Sequence, residues 1–320
     1  MNGGLLQIND LCVEFRNPGS TTYVLDSVCC DVRKGEILGL VGESGCGKSV
    51  MARSILRLLP TPPAFVSGEV FFEGEDLFKA SKKKMRAVRG NEISMIFQEP
   101  MTSLNPVFSV GAQMSEVVCL HKGCSRKEAR SICIDMLRLV KMPDPEQCFD
   151  KFPHELSGGM RQRVMIAMEL SCDPKLLIAD EPTTALDVTV QGQVLAKLYE
   201  LTHDRGVSTL FITHDMGVVA QICDRVAVMY AGRIVEMVDT RRLFREPLHP
   251  YTQGLIAAIP SLEGNAGTLS TIPGSVPSLK EKAKGCRFAP RCSRCLPRCL
   301  EEAPQFRDVG GCFVACHQPG

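Results

Sequence analysis

Residues 36–59 read EILGLVGESGCGKSVMARSILRLL, and no other stretch restricts the fold of this 320-residue chain as strongly. Glu36 to Val41 is a short apolar run before a glycine, which predicts a buried strand. From Ser49 to Leu59 apolar residues recur at helical spacing. The link, GESGCGKS, fits G-x-x-x-x-G-K-[ST], and its place between strand and helix gives the pattern physical meaning. Gly42, Glu43, Ser44, Gly45, Cys46 and Gly47 can close backbone N–H groups around phosphates. The helix start at Lys48, Ser49 and Val50 adds the positive end of a helix dipole. Lys48 is placed to reach β- and γ-phosphates, and Ser49 to ligand Mg2+.

Two further strand ends carry polar side chains. In PKLLIADEPTTALD, the run Leu176 to Ala179 ends in Asp180 and Glu181. A buried parallel strand that delivers acids at its C-terminal end marks the active edge of an open α/β sheet. Asp180 suits a Mg2+ shell, and Glu181 suits polarising an attacking water. VSTLFITHD predicts another strand, ending at His214. Between these motifs, HELSGGMRQRVMIAMELS places Ser157 as an N-cap before a helical pattern. With Gly158 and Gly159 it forms a second anion-binding candidate, remote from the first. Two copies facing head to tail would let each lend this helix to the other's nucleotide.

The rest of the composition excludes more than it assigns. A net charge of +1 argues against a large nucleic-acid footprint. The N-terminal stretch has no basic region followed by an apolar one, so no signal peptide is expected. No apolar run approaches the length of a membrane span. A chain read in this way as cytoplasmic keeps its thiols reduced, where clustered cysteines more often bind metal. Of 16 cysteines, six fall between 286 and 316. Cys12, Cys29, Cys30, Cys133 and Cys172 lie among apolar residues and are expected to pack as small hydrophobes.

Taken in order, these motifs resemble the ATP-binding subunits of ABC transporters. GESGCGKS looks like Walker A, FQEP with Gln98 like the Q-loop, and LSGGMRQR like the signature. LLIADEP looks like Walker B, TALD with Asp187 like the D-loop, and His214 like the switch histidine. FQEPMTSLNPVFSVGAQMSE and EPLHPYTQGLIAAIPSL are similar to the dipeptide/oligopeptide and nickel importer branch. The resemblance implies an α/β fold: a RecA-like P-loop core with an antiparallel β portion and a helical subdomain at about 101–160, all within 1–250. An extension follows over 251–320, with 264–284 read as a linker. It implies ATP as cofactor, with Mg2+ on Ser49, Gln98 and Asp180. Glu181 and His214 would orient water, and Ser157, Gly158, Gly159 and Asp187 would serve the dimer. Tyr23 is the candidate to stack on adenine, with Phe15 as the alternative.

Implied partners are a paralogous ATPase, two membrane permeases and, through them, an extracellular solute-binding protein. The implied location is peripheral, at the cytoplasmic face of the cell membrane. The implied cargo is di- or oligopeptides, with nickel or another small solute as the alternative. A soluble, non-transport ABC ATPase is the reading from a different class. The coiled-coil insertion or second ATPase domain of such proteins is not present. A non-hydrolysing subunit conflicts with the intact Lys48, Asp180, Glu181 and His214.

The branch also has a C-terminal cysteine motif, matched here by GCRFAPRC, Cys299 and VACH. It implies a 4Fe-4S cluster on Cys286, Cys292, Cys299 and Cys316, leaving Cys295 and Cys312 as extras. Zinc is the alternative, because Cys292-x-x-Cys295 has zinc-ligand spacing. Arg287, Arg291, Arg294 and Arg298 alternate with the cysteines and could offset a cluster's negative charge. Prolines at 290, 297 and 304 argue against a long helix. The tail lies far in sequence from the ATP motifs, so a structural or docking role is expected.

Overall fold

Two long strands precede the glycine loop. The computed structural model describes residues 4–98, 104–183, 188–259 and 271–320. It divides into two compact units. The first takes in the described residues of Met1–Arg33, Ile37–Lys79 and Ile212–Gly320, and the second those of Lys34–Glu36 and Ala80–Phe211.

In the first unit, β1 (Leu6–Asn17) lies between β2 (Ser20–Val32) and β4 (Ala64–Phe72), antiparallel to both, and β5 (Glu75–Asp76) completes a four-stranded sheet. Leu6, Ile8, Leu11 and Val13 are buried along β1. Their alternation slips where the register shifts between Ile8 and Leu11, and there Asp10 adopts a left-handed backbone, φ 47°. This irregularity corrects one expectation. Cys12 and Cys29 are only half-buried. The Cys29 sulfur accepts from the Asp10 N–H at 3.3 Å, and the Cys12 sulfur from the Ser27 N–H at 3.2 Å. Polar backbone released by the irregular pairing finds sulfur as a partner. Cys30, Cys133 and Cys172 are buried as expected.

The second sheet portion of this unit begins with β3 (Ile37–Val41), five buried residues running parallel to β9 (Arg225–Tyr230). From there β10 (Arg233–Asp239), β12 (Cys312–Val314) and β11 (Arg307–Val309) continue antiparallel, in the order β11-β12-β10-β9-β3. The chain's C-terminal segment thus adds two short strands to the sheet. Helix α1 (Lys48–Ile55) follows the glycine loop and buries Met51, Ala52 and Ile55. It is shorter than the apolar spacing to Leu59 predicts: Arg57 is left-handed, φ 53°, and Pro60, Pro62 and Pro63 prevent the helix from continuing. The unit also holds α8 (Met216–Ile222), α9 (Thr240–Arg245), α10 (Pro250–Ala257) and α11 (Pro297–Glu301). The last is a single short helix that starts at a proline, as the tail's prolines foretell.

In the second unit β6 (Ile93–Ile96) pairs parallel with β7 (Leu176–Asp180), and the order is β8-β7-β6. The unit boundary falls within β8 (Ser208–Thr213). The helices are α2 (Lys82–Val88), α3 (Val110–Lys122), α4 (Arg126–Leu139), α5 (Pro145–Asp150), α6 (Gly158–Leu170) and α7 (Val188–Arg205). Met114 and Val118 of α3, Cys133 and Leu137 of α4, and Val164 and Ile166 of α6 are buried. Helix starts are specified locally. Ser109 and Ser125 cap α3 and α4, and Ser125 forms a reciprocal capping box with Glu128.

Candidate functional site

In the first unit the glycine loop is shaped by close backbone approach. A Cβ on Gly42 would lie 2.1 Å from the Met229 carbonyl oxygen of β9, so only glycine fits. Gly47, φ 110°, is the N-cap of α1. Lys48 is buried, and its Nζ donates to the carbonyls of Gly42 at 2.8 Å and Glu43 at 3.2 Å. Ser44 and Gly45 are exposed, whereas Ser49 and Val50 are half-buried in the first turn of α1. Cys46 is buried, and burial pushes its thiol up despite the nearby Lys48 charge. It is a packing residue within the loop.

Glu43 makes contacts that the motif does not announce. Its carboxylate accepts both Arg291 nitrogens, at 2.8 and 3.0 Å, and its N–H donates to the Tyr251 hydroxyl at 3.0 Å. His214 is exposed, one residue past β8, beside Asp215, which caps α8 through the Gly217 and Val218 N–H groups. Tyr23 lies half-buried on β2 and lines a cavity of about 370 Å³ with Arg16, Phe65 and Lys282. Phe15 is half-buried on β1, where it pairs with Thr22.

The second unit holds the acids. Asp180 is the last residue of β7 and 1% exposed, a hard oxygen donor of the kind Mg2+ takes. Gln98, in the same unit, carries a side-chain oxygen of the same class. The next residue, Glu181, has φ 49°, a strained conformation for a side chain and typical of functional sites. Gln98 reaches it directly: Gln98 Nε2 donates to Glu181 Oε2 at 3.1 Å. Ser157 caps α6 by accepting the Met160 N–H at 3.3 Å. Ser157 and Gly158 are exposed, and Gly159 follows in the first turn. Asp187 lies outside the described residues.

The tail sorts its six cysteines. Cys286, Cys292, Cys299 and Cys316 line one small cavity, together with His249 and Arg294. Cys295 is exposed and points its sulfur to the Leu296 carbonyl, 3.6 Å away. Cys312 is buried against Glu236, at 3.6 Å, and its thiol is pushed up to about 12 by burial and that carboxylate. Burial likewise pushes Cys286 up to about 11, with Cys299 and Cys316 adding to the shift. The enclosed space is about 20 Å³, room for one water. Among the described residues no three His, Cys, Asp or Glu side chains stand ready to hold one ion. Cysteine thiolates are the ligand type an iron–sulfur cluster takes, while the zinc spacing Cys292-x-x-Cys295 uses a residue off the cavity.

Most of the tail arginines do not face the cavity. Arg294 lines it and also donates to Gln253 at 3.2 Å. Arg287 donates to Asp26 at 3.0 Å and to the Ala231 carbonyl, Arg291 holds Glu43, and Arg298 lies against His317. Charge on these side chains is used for long-range attachment. Part of the expected linker is attached too: the carbonyls of Ile272 and Pro273 accept from Arg291, and that of Leu279 accepts the Tyr23 N–H. Arg291 and Tyr251 are the site residues that sequence reasoning misses, because neither sits in a phosphate-binding pattern.

The family model described as ABC transporter matches residues 25–184, and the one described as Oligopeptide/dipeptide transporter, C-terminal region, matches 235–299. The chain is 53% identical to the probable peptide ABC transporter ATP-binding protein y4tR of Sinorhizobium fredii, over 98% of this chain and 94% of that one. It is 50% identical to the oligopeptide transport ATP-binding protein OppD of Bacillus subtilis, over 95% of this chain and 86% of that one. Among solved structures, the dimeric post-hydrolysis state of the ATP-binding cassette MJ0796 with ADP and Pi aligns with a TM-score of 0.67 at 25% identity. It covers 74% of this chain and 99% of that one. The chain belongs to the ABC transporter family, as one of its ATPase subunits.

Proposed function

We propose that this subunit hydrolyses ATP to power import of di- or oligopeptides through two membrane permeases fed by an extracellular solute-binding protein. The observation that carries the hydrolytic half is the Gln98–Glu181 contact at 3.1 Å, beside the buried Asp180. It holds a carboxylate at a strand end where an attacking water can be polarised. The cargo rests on the names of the relatives and on the match at 235–299. Nickel or another small solute is the alternative within the same branch.

In this reading the N–H groups of residues 42–49 and the Lys48 ammonium take the phosphates. Tyr23 stacks on adenine. Ser49, Gln98 and Asp180 hold Mg2+, which neutralises charge on the phosphate oxygens when bound. Glu181 and His214 orient the water. Ser157, Gly158 and Gly159 serve the nucleotide of a paralogous ATPase partner, and Asp187 belongs to the same interface. Exposure of Ser157 and Gly158 at a helix N-terminus supports that assignment. Among the described residues no helix is long and apolar enough to cross a membrane. We place the subunit against the permeases, peripheral to the cytoplasmic face. The division into an ATPase portion to about 250 and an extension from 251 stays part of the proposal.

Cys286, Cys292, Cys299 and Cys316 would hold a 4Fe-4S cluster, which supplies a crosslink between four chain segments and no step in hydrolysis. Their shared cavity supports this set. Protein purified without oxygen is then expected to be brown and to carry about four irons per chain. Cys295→Ser keeps the iron and Cys292→Ser loses it. One tightly held zinc that needs Cys295 would overturn the cluster. For the main reading, the transporter reconstituted with its neighbouring permeases should take up labelled peptide only with ATP, and Lys48→Ala should abolish uptake. Nickel uptake in place of peptide would select the alternative.

A further inference from the structure

The Cys-rich tail reaches the nucleotide loop through one side chain. Arg291, 5% exposed, uses its whole guanidinium. Nη1 and Nη2 grip the two Glu43 oxygens at 2.8 and 3.0 Å. Nε donates to the Pro273 carbonyl at 2.9 Å, Nη2 to the Ile272 carbonyl at 3.2 Å, and Nη1 to the Tyr230 hydroxyl at 3.4 Å. The bonds to Glu43 are the main reason this guanidinium holds its proton more tightly than usual. Fork-to-fork pairing fixes orientation as well as charge.

Glu43 is also the loop's anchor. Its N–H goes to Tyr251, which is fully buried and packs against Tyr230 and Phe288 at ring distances of 4.6 and 5.5 Å. Its carbonyl accepts Lys48 Nζ at 3.2 Å and the Cys46 N–H at 3.3 Å. An acidic side chain in a loop that receives a polyphosphate repels its own ligand unless a cation covers it. Arg291 is that cation, and it comes from the C-terminal extension, 248 positions away.

We propose that Arg291 is a positioning residue for nucleotide binding: it neutralises and pins Glu43, so the C-terminal extension sets the affinity of the glycine loop for ATP. The inference rests on ATP occupying the Gly42–Ser49 loop. It does not depend on what fills the cysteine cavity.

The test is equilibrium binding of a fluorescent ATP analogue to the full-length protein. Arg291→Gln should weaken binding roughly tenfold, the size of one coupled pair. Added salt should narrow the gap to wild type, because the uncovered Glu43 charge is screened. Arg291→Lys should fall between, since an ammonium keeps the charge and loses the fork. Arg291→Gln combined with Glu43→Gln should recover most of the loss, which a merely misfolded tail would not do. Lys48→Ala should lose binding outright. If it does while both Arg291 variants bind like wild type, or if the double variant is no better than Arg291→Gln, the inference is wrong and the loop assignment stands. If Lys48→Ala binds normally, both fail.

Discussion

The glycine loop and the cysteine tail are both short, broken stretches of backbone, yet they are held by different means. Much of the loop is held locally, since Lys48 bonds to carbonyls within six residues of itself, and its distant contacts, Met229 over Gly42 and Tyr251 and Arg291 on Glu43, fall on its first two residues. The tail is held from afar. Arg287 is attached to Asp26, Arg291 to Glu43, and β12 to β10. Within the tail the Cys286 N–H donates to the Cys299 carbonyl at 2.7 Å. The lesson is that a glycine loop can take much of its shape from local backbone geometry, whereas the tail needs distant parts of the chain to define which of its thiols line one cavity.

That contrast can be tested, beginning with the largest effect. Glu181→Gln should cut turnover roughly 100- to 1000-fold in the assembled transporter while ATP binding persists, because the loop is untouched. Phosphate release and nucleotide binding, measured on the same preparation, decide it; near-normal hydrolysis removes Glu181 from its role. Asp26→Asn addresses the other side. It strips the partner from Arg287, 4% exposed, and from Arg233, which bonds Asp26 at 2.7 Å. Leaving a buried guanidinium unpaired should cost about 3 kcal/mol in urea unfolding. A change below about 1 kcal/mol would show that the tail does not depend on this attachment.

Ser157→Arg asks whether the loop is complete within one chain. ATP binding to the separate subunit should survive, and turnover in the complex should drop by at least about tenfold. Binding lost as fully as in Lys48→Ala would contradict a shared site. The smallest effect belongs to Glu169 on α6, a control outside both regions. Burial pushes its carboxyl up to about 7, and it accepts the Met95 N–H at 3.3 Å. A raised carboxyl stabilises the fold below its unfolded value of 4.5, and that contribution is lost as pH rises through 7. Glu169→Gln should therefore melt about 2 °C above wild type at pH 8 and converge with it near pH 4.5, seen in thermal scans. Parallel melting curves across that range would mean Glu169 is solvated.

By itself the sequence determined the elements whose causes are local. The strand Ile37–Val41, the Asp180 strand end and the Ser157 cap were legible because periodicity, glycine and capping residues act within a few positions. The same holds for the absence of a long helix among the tail prolines. Tertiary structure alone decided that Cys295 and Cys312 face away from the cavity, that Cys12 and Cys29 bond to irregular backbone, and that Arg287 and Arg291 serve distant carboxylates. The cysteine and arginine contacts among these join residues 15 to 261 positions apart. Such pairings leave no periodic trace along the chain, because they are selected by burial and charge in three dimensions rather than by the neighbours in sequence.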